Sequence, residues 1–150
     1  MTILLKEIDH SNYKECANLT VSEAQENFVA ANWYSLLEAK YEPNRLPFGI
    51  YDNEELVGFL MFSYHPADEY YDKDSWWIER FMLDQKQQRK GYGTKALKVA
   101  INDFKQTNPD KELRISAEPA NDIAITLYEK QGFTKTGEYV GDEVVLLLQK

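Results

Sequence analysis

Cysteine is nearly absent from this 150-residue chain: Cys16 stands alone. An internal disulfide is therefore impossible, and nothing points to an oxidising compartment. Histidine is almost as scarce. His10 and His65 lie far apart, and neither has a Cys or His neighbour at ligand spacing, so no metal site is expected. Seven glycines and five prolines are scattered without repeat or linker, which excludes collagen-like and low-complexity chains and leaves no domain boundary. No apolar run approaches the roughly 20 residues of a membrane span. Ile3-Leu4-Leu5 meets charge at once in Lys6 and Glu7, too short a stretch for a signal peptide. One cytoplasmic domain over residues 1–150 is the expectation. Bases are also in short supply, 17 against 25 acids, for a formal net charge of −8. Such a surface repels a phosphate backbone, which disfavours a general nucleic-acid binder.

What is present alternates between strand and helix patterns. Thr2–Ile8 suits a first strand, and Asp9 and Ser11 are cap types before a short helix over Asn12–Leu19. Ser22 with Gln25 has capping-box spacing and predicts a second helical region running to about Tyr41, ended by Pro43 and Pro47. Phe48–Tyr51 and Leu56–Tyr64 flank the turn signal 52–55, and Trp76–Leu83 is aromatic and apolar. Tyr92, Ala96, Leu97, Ala100, Ile101 and Phe104 share one helical face. Leu113–Ala117 reads as a strand, and Asn121–Gln131 as a helix closed by Gly132. Phe133–Tyr139 and Glu143–Gln149 form a last strand pair. The fold class is α/β (α+β): a mixed, mostly antiparallel sheet of six to seven strands flanked by about four helices.

The sharpest local feature is Gln88-Arg89-Lys90-Gly91-Tyr92-Gly93-Thr94, between a strand and an amphipathic helix. Two glycines permit close backbone approach, and successive N–H groups at a helix start form an anion nest. It is neither a P-loop nor a G-x-G-x-x-G fingerprint; taken alone, it is as readily a tight turn capping a helix. Residues 84–100 hold five bases and one acid, a net of +4, which leaves −12 for the rest. A cationic pole in an acidic chain points to one small polyanionic ligand.

A second feature is Asn121, followed by Leu127-Tyr128-Glu129-Lys130-Gln131-Gly132-Phe133. Together with Gln88-x-x-Gly91-x-Gly93 it resembles the GNAT superfamily of N-acetyltransferases over essentially the whole chain. The stretch from Val21 to Ala39, Pro47–Tyr51 and Glu118-Pro119-x-Asn121 is most similar to the bacterial spermine/spermidine (diamine) acetyltransferases. Relatives often read Pro where Ala31 stands and carry an aromatic or apolar residue at the place of Glu79. The resemblance implies a GNAT fold and acetyl-CoA as cofactor. Its pyrophosphate would rest on Gln88, Arg89, Lys90, Gly91, Tyr92, Gly93 and Thr94, and its pantetheine arm would pair with Phe81-Met82-Leu83. Asn121 would bond the pantetheine region, or cap a helix, or do both. Tyr128 would face the thioester sulfur; by periodicity alone it reads as a core aromatic. Lys130 reaches the phosphates or points to solvent. A homodimer, common in this family, is also implied.

Acyl transfer to an amine needs a neutral nitrogen. An alkylamine of pKa about 10.4 is neutral in only about one molecule in 2,500 at pH 7, equivalent to roughly 4.6 kcal/mol. A base or a water relay is therefore useful on the acceptor side. Glu79 interrupts the apolar strand and, by alternation, should share the face of Phe81, where it would bind the ammonium, help deprotonate it, or both; paired with Arg80 or a neighbour it would be an ordinary strand residue. Glu118 is a weaker alternative. The leaving thiolate benefits from a proton donor, a role that suits Tyr128. Acids in 22–42 and 68–79, with Trp33, Tyr34, Tyr70, Tyr71, Trp76 and Trp77, are expected around a small cationic amine substrate, with a polyamine as first choice. Another GNAT acceptor (aminoglycoside, amino acid, protein N-terminus) and a non-catalytic CoA-binding sensor are the competing readings.

Overall fold

A computed structural model describes residues 1–69 and 71–150; Tyr70 lies outside the described residues. Among the described residues seven strands form one sheet in the order β1-β2-β3-β4-β5-β7-β6. They are β1 Ile3–Glu7, β2 Arg45–Asp52, β3 Glu55–His65, β4 Ser75–Leu83, β5 Leu113–Ala117, β6 Thr134–Val140 and β7 Glu143–Leu148. Every pairing is antiparallel except β4 with β5. No described helix is long and apolar enough to cross a membrane.

The helices α3 (Tyr92–Thr107) and α4 (Asp122–Lys130) cover one face. Tyr92, Ala96, Leu97, Ala100 and Phe104 of α3 join Ile125 and Tyr128 of α4 on Ile50, Leu60, Phe62, Ile78 and Ile115. Each large side chain buried this way contributes roughly 1.5–3 kcal/mol. The opposite face holds a smaller core of Cys16, Tyr51, Phe59, Met61 and Met82 under α1 (Tyr13–Ala17) and α2 (Asn32–Tyr41).

Four expectations need correction. The first helix is one short turn, Tyr13–Ala17, because the Asn12 side chain bonds back to Asp9 N and Glu7 O rather than capping it. The Ser22–Gln25 pair opens only a 3-10 turn over Glu23–Gln25, and α2 begins at Asn32. Tertiary contacts override the local signal there: the Gln25 side chain is taken by Gln88 at 2.7 Å. Asn32 is drawn inward, its Nδ2 donating to Cys16 O at 3.0 Å. Pro47 ends no helix but lies inside β2 opposite Met61, its carbonyl accepting from Ile8 N. Proline is tolerated there because only its N–H is missing.

The decisive irregularity is in β4. Met61 pairs with Arg80 but Phe62 pairs with Ile78, so Glu79 is the extra residue of a bulge. The bulge inverts the alternation, and Glu79 reaches Arg45 and His65 while Phe81 packs on Tyr128. The expectation that Glu79 and Phe81 share a face fails for this reason.

Candidate active site

β4 and β5 run parallel for only three pairs, Trp76–Ile78 with Leu113–Ile115. β4 then continues five residues to Leu83 bonded to β3 alone, and the two strands part. A cleft of about 1580 Å³ opens in this gap. One mouth is the start of α3; the floor is the sheet face that α1 and α2 leave uncovered.

At the α3 mouth, Arg89 (φ 65°) and Gly91 (φ 83°) are both left-handed, and Gly91 is the residue that starts the helix. A left-handed arginine is strained, and alternating conformations of this kind turn successive N–H groups toward one point. A Cβ on Gly91 would meet nothing within 4 Å, so conformation and ligand approach, rather than crowding, ask for glycine here. Gln88 ties this loop to its surroundings, its Nε2 donating to Gln25 Oε1 and to Leu83 O at 3.1 Å. At the inner end, Tyr128 is 6% exposed and tilts against Phe81 at 6.5 Å between centroids. Burial, with the nearby charge of Glu143, pushes its phenol far above the ordinary value, so it is a proton donor at neutral pH. Asn121 caps α4, its Oδ1 accepting from Ala124 N at 3.3 Å, and lines the cleft beside Tyr128.

On the floor, the Glu79 carboxylate meets Arg45 Nε at 3.2 Å and His65 Nε2 at 3.4 Å. Burial alone would raise its pKa. The His65 hydrogen bond and the charges of Arg45, Arg80 and His65 more than offset that, and the carboxyl lies below its ordinary value. Arg80 bonds Glu38 at 3.2 Å, and Arg114 bonds Tyr71 Oη at 3.2 Å. Among the described residues, the Nε atoms of both arginines are buried without a hydrogen-bond partner. From the far side, Ser116 Oγ donates to Glu143 Oε1 at 2.8 Å.

This arrangement has known counterparts. The model of the Acetyltransferase (GNAT) family matches residues 9–133. The chain is 32% identical over 152 residues, 97% of its length and 98% of the relative's, to a spermine/spermidine N(1)-acetyltransferase of Bacillus subtilis strain 168. The chain belongs to the GNAT family. It is an N-acetyltransferase, and acetyl-CoA is its acetyl donor. Among solved structures, an aminoglycoside acetyltransferase in complex with coenzyme A superposes with a TM-score of 0.78 at 14% identity, covering 99% of this chain and 95% of that one. A spermidine N-acetyltransferase from Vibrio cholerae, in complex with CoA and spermine, gives 0.68 at 15%, covering 97% and 92%. At such identities these two show the shared fold.

The GNAT cleft gathers Glu79, Phe81, Met82, Leu83, Gln88, Arg89, Gly91, Gly93, Thr94, Asn121 and Tyr128 in its lining. Three expected cofactor residues fall outside it. Lys90 is exposed and donates to Gln87 at 3.2 Å, Tyr92 is buried and donates from Oη to Asp52 at 2.7 Å, and Lys130 is exposed at the end of α4. Tyr92 can contribute only its backbone N–H to the mouth. Glu118 is also outside, its carbonyl accepting from Asn121 N in the turn before α4. Of the expected aromatics among the described residues, only Trp77 and Tyr71 line the cleft; Trp33 and Tyr34 are exposed on α2, and Trp76 packs on Tyr64 and Phe104. The acids of 22–42 do not line it, and Glu38 is engaged by Arg80. Arg45, His65, Arg114, Ser116 and Glu143 escaped the sequence reading. They come from four separate strands, with only Arg114 and Ser116 sharing one, and no local spacing joins the four.

Proposed function

We propose that this GNAT enzyme transfers acetyl to a primary amine of a polyamine such as spermidine or spermine. The observation that carries the reading is the parting of β4 from β5 after Ile78, with the left-handed Arg89–Gly91 loop at one end and buried Tyr128 at the other. The fit to a CoA thioester is physical. The N–H groups from Arg89 to Thr94 and the start of α3 hold a diphosphate. Phe81–Leu83, unpaired on the β5 side, offer backbone groups to the amides of a pantetheine arm. Asn121 is placed to bond the same arm. When bound, acetyl-CoA supplies an acyl carbon activated as a thioester. Backbone N–H groups near Leu83 polarise its carbonyl, and Tyr128 Oη holds a proton for the departing sulfur. In this reading the enzyme works in the cytoplasm as a homodimer, as the family resemblance implies.

Polyamine as the acceptor is supported by the likeness to a protein of that name over nearly the full chain and by the carboxylates of the floor. A second reading has an observation of its own. The Nε–H groups of Arg80 and Arg114, without a partner among the described residues, favour an acceptor with an oxygen beside its amine, such as an amino acid or an aminoglycoside. A turnover screen over diamines, polyamines, amino acids, aminoglycosides and peptides separates the two. The highest kcat/KM is expected for spermidine or spermine; a maximum on an oxygen-bearing amine replaces the polyamine by the second class.

A further inference from the structure

We propose that Glu143, rather than Glu79, is the carboxylate that receives the acceptor's ammonium beside Tyr128. This rests on the reading that the acceptor is an amine, and it deepens that reading by naming the group that holds the nitrogen. Glu143 is the first residue of β7, opposite Val140 in the β6–β7 hairpin, and it lines the cleft. Its Oε1 is anchored by Ser116, which lies just beyond Ile115, where the pairing of β5 with β4 ends. The carboxylate is thus held against β5 in the cleft that Tyr128 also lines. Glu143 also helps to raise the pKa of the Tyr128 phenol.

Glu79 offers the opposite picture. The bulge turns it onto Arg45 and His65, so an arriving ammonium would compete with a guanidinium already in place. Among the described residues no basic side chain lies within 4.0 Å of Glu143. Its one side-chain hydrogen bond among the described residues comes from a neutral hydroxyl. A charge-assisted bond to an ammonium is therefore available without breaking an ion pair.

The chemistry balances. The bound ammonium releases one proton to a Glu143 oxygen, which passes it to water. The neutral nitrogen forms the C–N bond as the C–S bond breaks. The surplus N–H proton replaces the phenolic proton that Tyr128 gives to the sulfur, leaving an amide, a thiol and one proton in solution.

The test compares Glu143→Gln with Glu79→Gln, by calorimetric titration of spermidine into the CoA-loaded protein and by steady-state kinetics. Glu143→Gln is expected to raise Kd and KM for the amine roughly 10- to 100-fold, with KM for acetyl-CoA unchanged. Glu79→Gln should give a much smaller change in either. Glu143→Asp, which keeps the charge, should recover part of the loss, a result that a purely structural role would not produce. Wild-type amine affinity in Glu143→Gln, or an equal loss in Glu79→Gln, overturns the assignment. If another amine outperforms polyamines, the same ratios measured on that amine judge Glu143 while the polyamine reading falls by itself. A wild-type enzyme that binds and acetylates no amine overturns both.

Discussion

The two ends of the cleft are built by different means. The end proposed for the anion is made of backbone, from a single seven-residue stretch whose conformations are set by Arg89 and Gly91. The end proposed for the amine is made of side chains from β3, β4, β5 and β7, brought together across a span of 79 residues from His65 to Glu143. A backbone site is specified where it stands in the chain. A side-chain site exists only after strands from distant segments have found their register.

The comparison can be broken at three points of decreasing effect. Tyr128 sits where the two ends meet. Removing its hydroxyl in Tyr128→Phe should lower kcat about 100-fold with little change in KM for either substrate. Full activity, measured where chemistry limits the rate, would show that the sulfur leaves without a phenolic proton. At the anion end, Gly91→Val forces a branched residue to φ 83°. Left-handed strain of roughly 1–2 kcal/mol should lower the melting temperature by a few degrees, and displacement of the loop that relieves it should raise KM for acetyl-CoA about tenfold with amine affinity little affected. An equal loss of amine affinity would show that the two ends are not independent.

The smallest effect belongs to Glu79, whose partners make it part of the scaffold. A carboxyl held below its ordinary value stabilises the fold fully above the unfolded pKa, and loses that contribution as pH falls through the lowered folded value. Glu79→Gln should therefore cost about 1–2 kcal/mol at neutral pH and flatten the decline of stability on the acid side of pH 4–5, read by chemical denaturation across pH. An unchanged acid limb would mean that the Arg45–Glu79–His65 cluster contributes nothing net.

Much of the fold was legible because its signals are local. The apolar face of α3, the Asn121 cap and the Gly132 stop of α4, and the strand at β4 all follow from spacing and residue type. The start of α2 was not legible, since Gln25 answers to Gln88 and Asn32 to Cys16, partners 63 and 16 residues away. Nor was the direction of Glu79. Strand alternation is a rule of period two, and a single inserted residue reverses it without leaving a mark in the sequence.

The charge division follows the same line. The net of +4 over residues 84–100 falls on the segment that opens α3, and Arg89 is the one base of that segment in the cleft lining. The acid excess is a property of the whole chain and does not say which carboxylate is left unpaired. By itself the sequence determined the family, the strand and helix order and the glycine loop that opens α3, because each depends on residues that are near neighbours. Tertiary structure alone decided which glutamate meets a guanidinium and which, among the described residues, meets a serine. That depends on register, on one bulge and on where two strands part, and those are set by packing across the whole sheet.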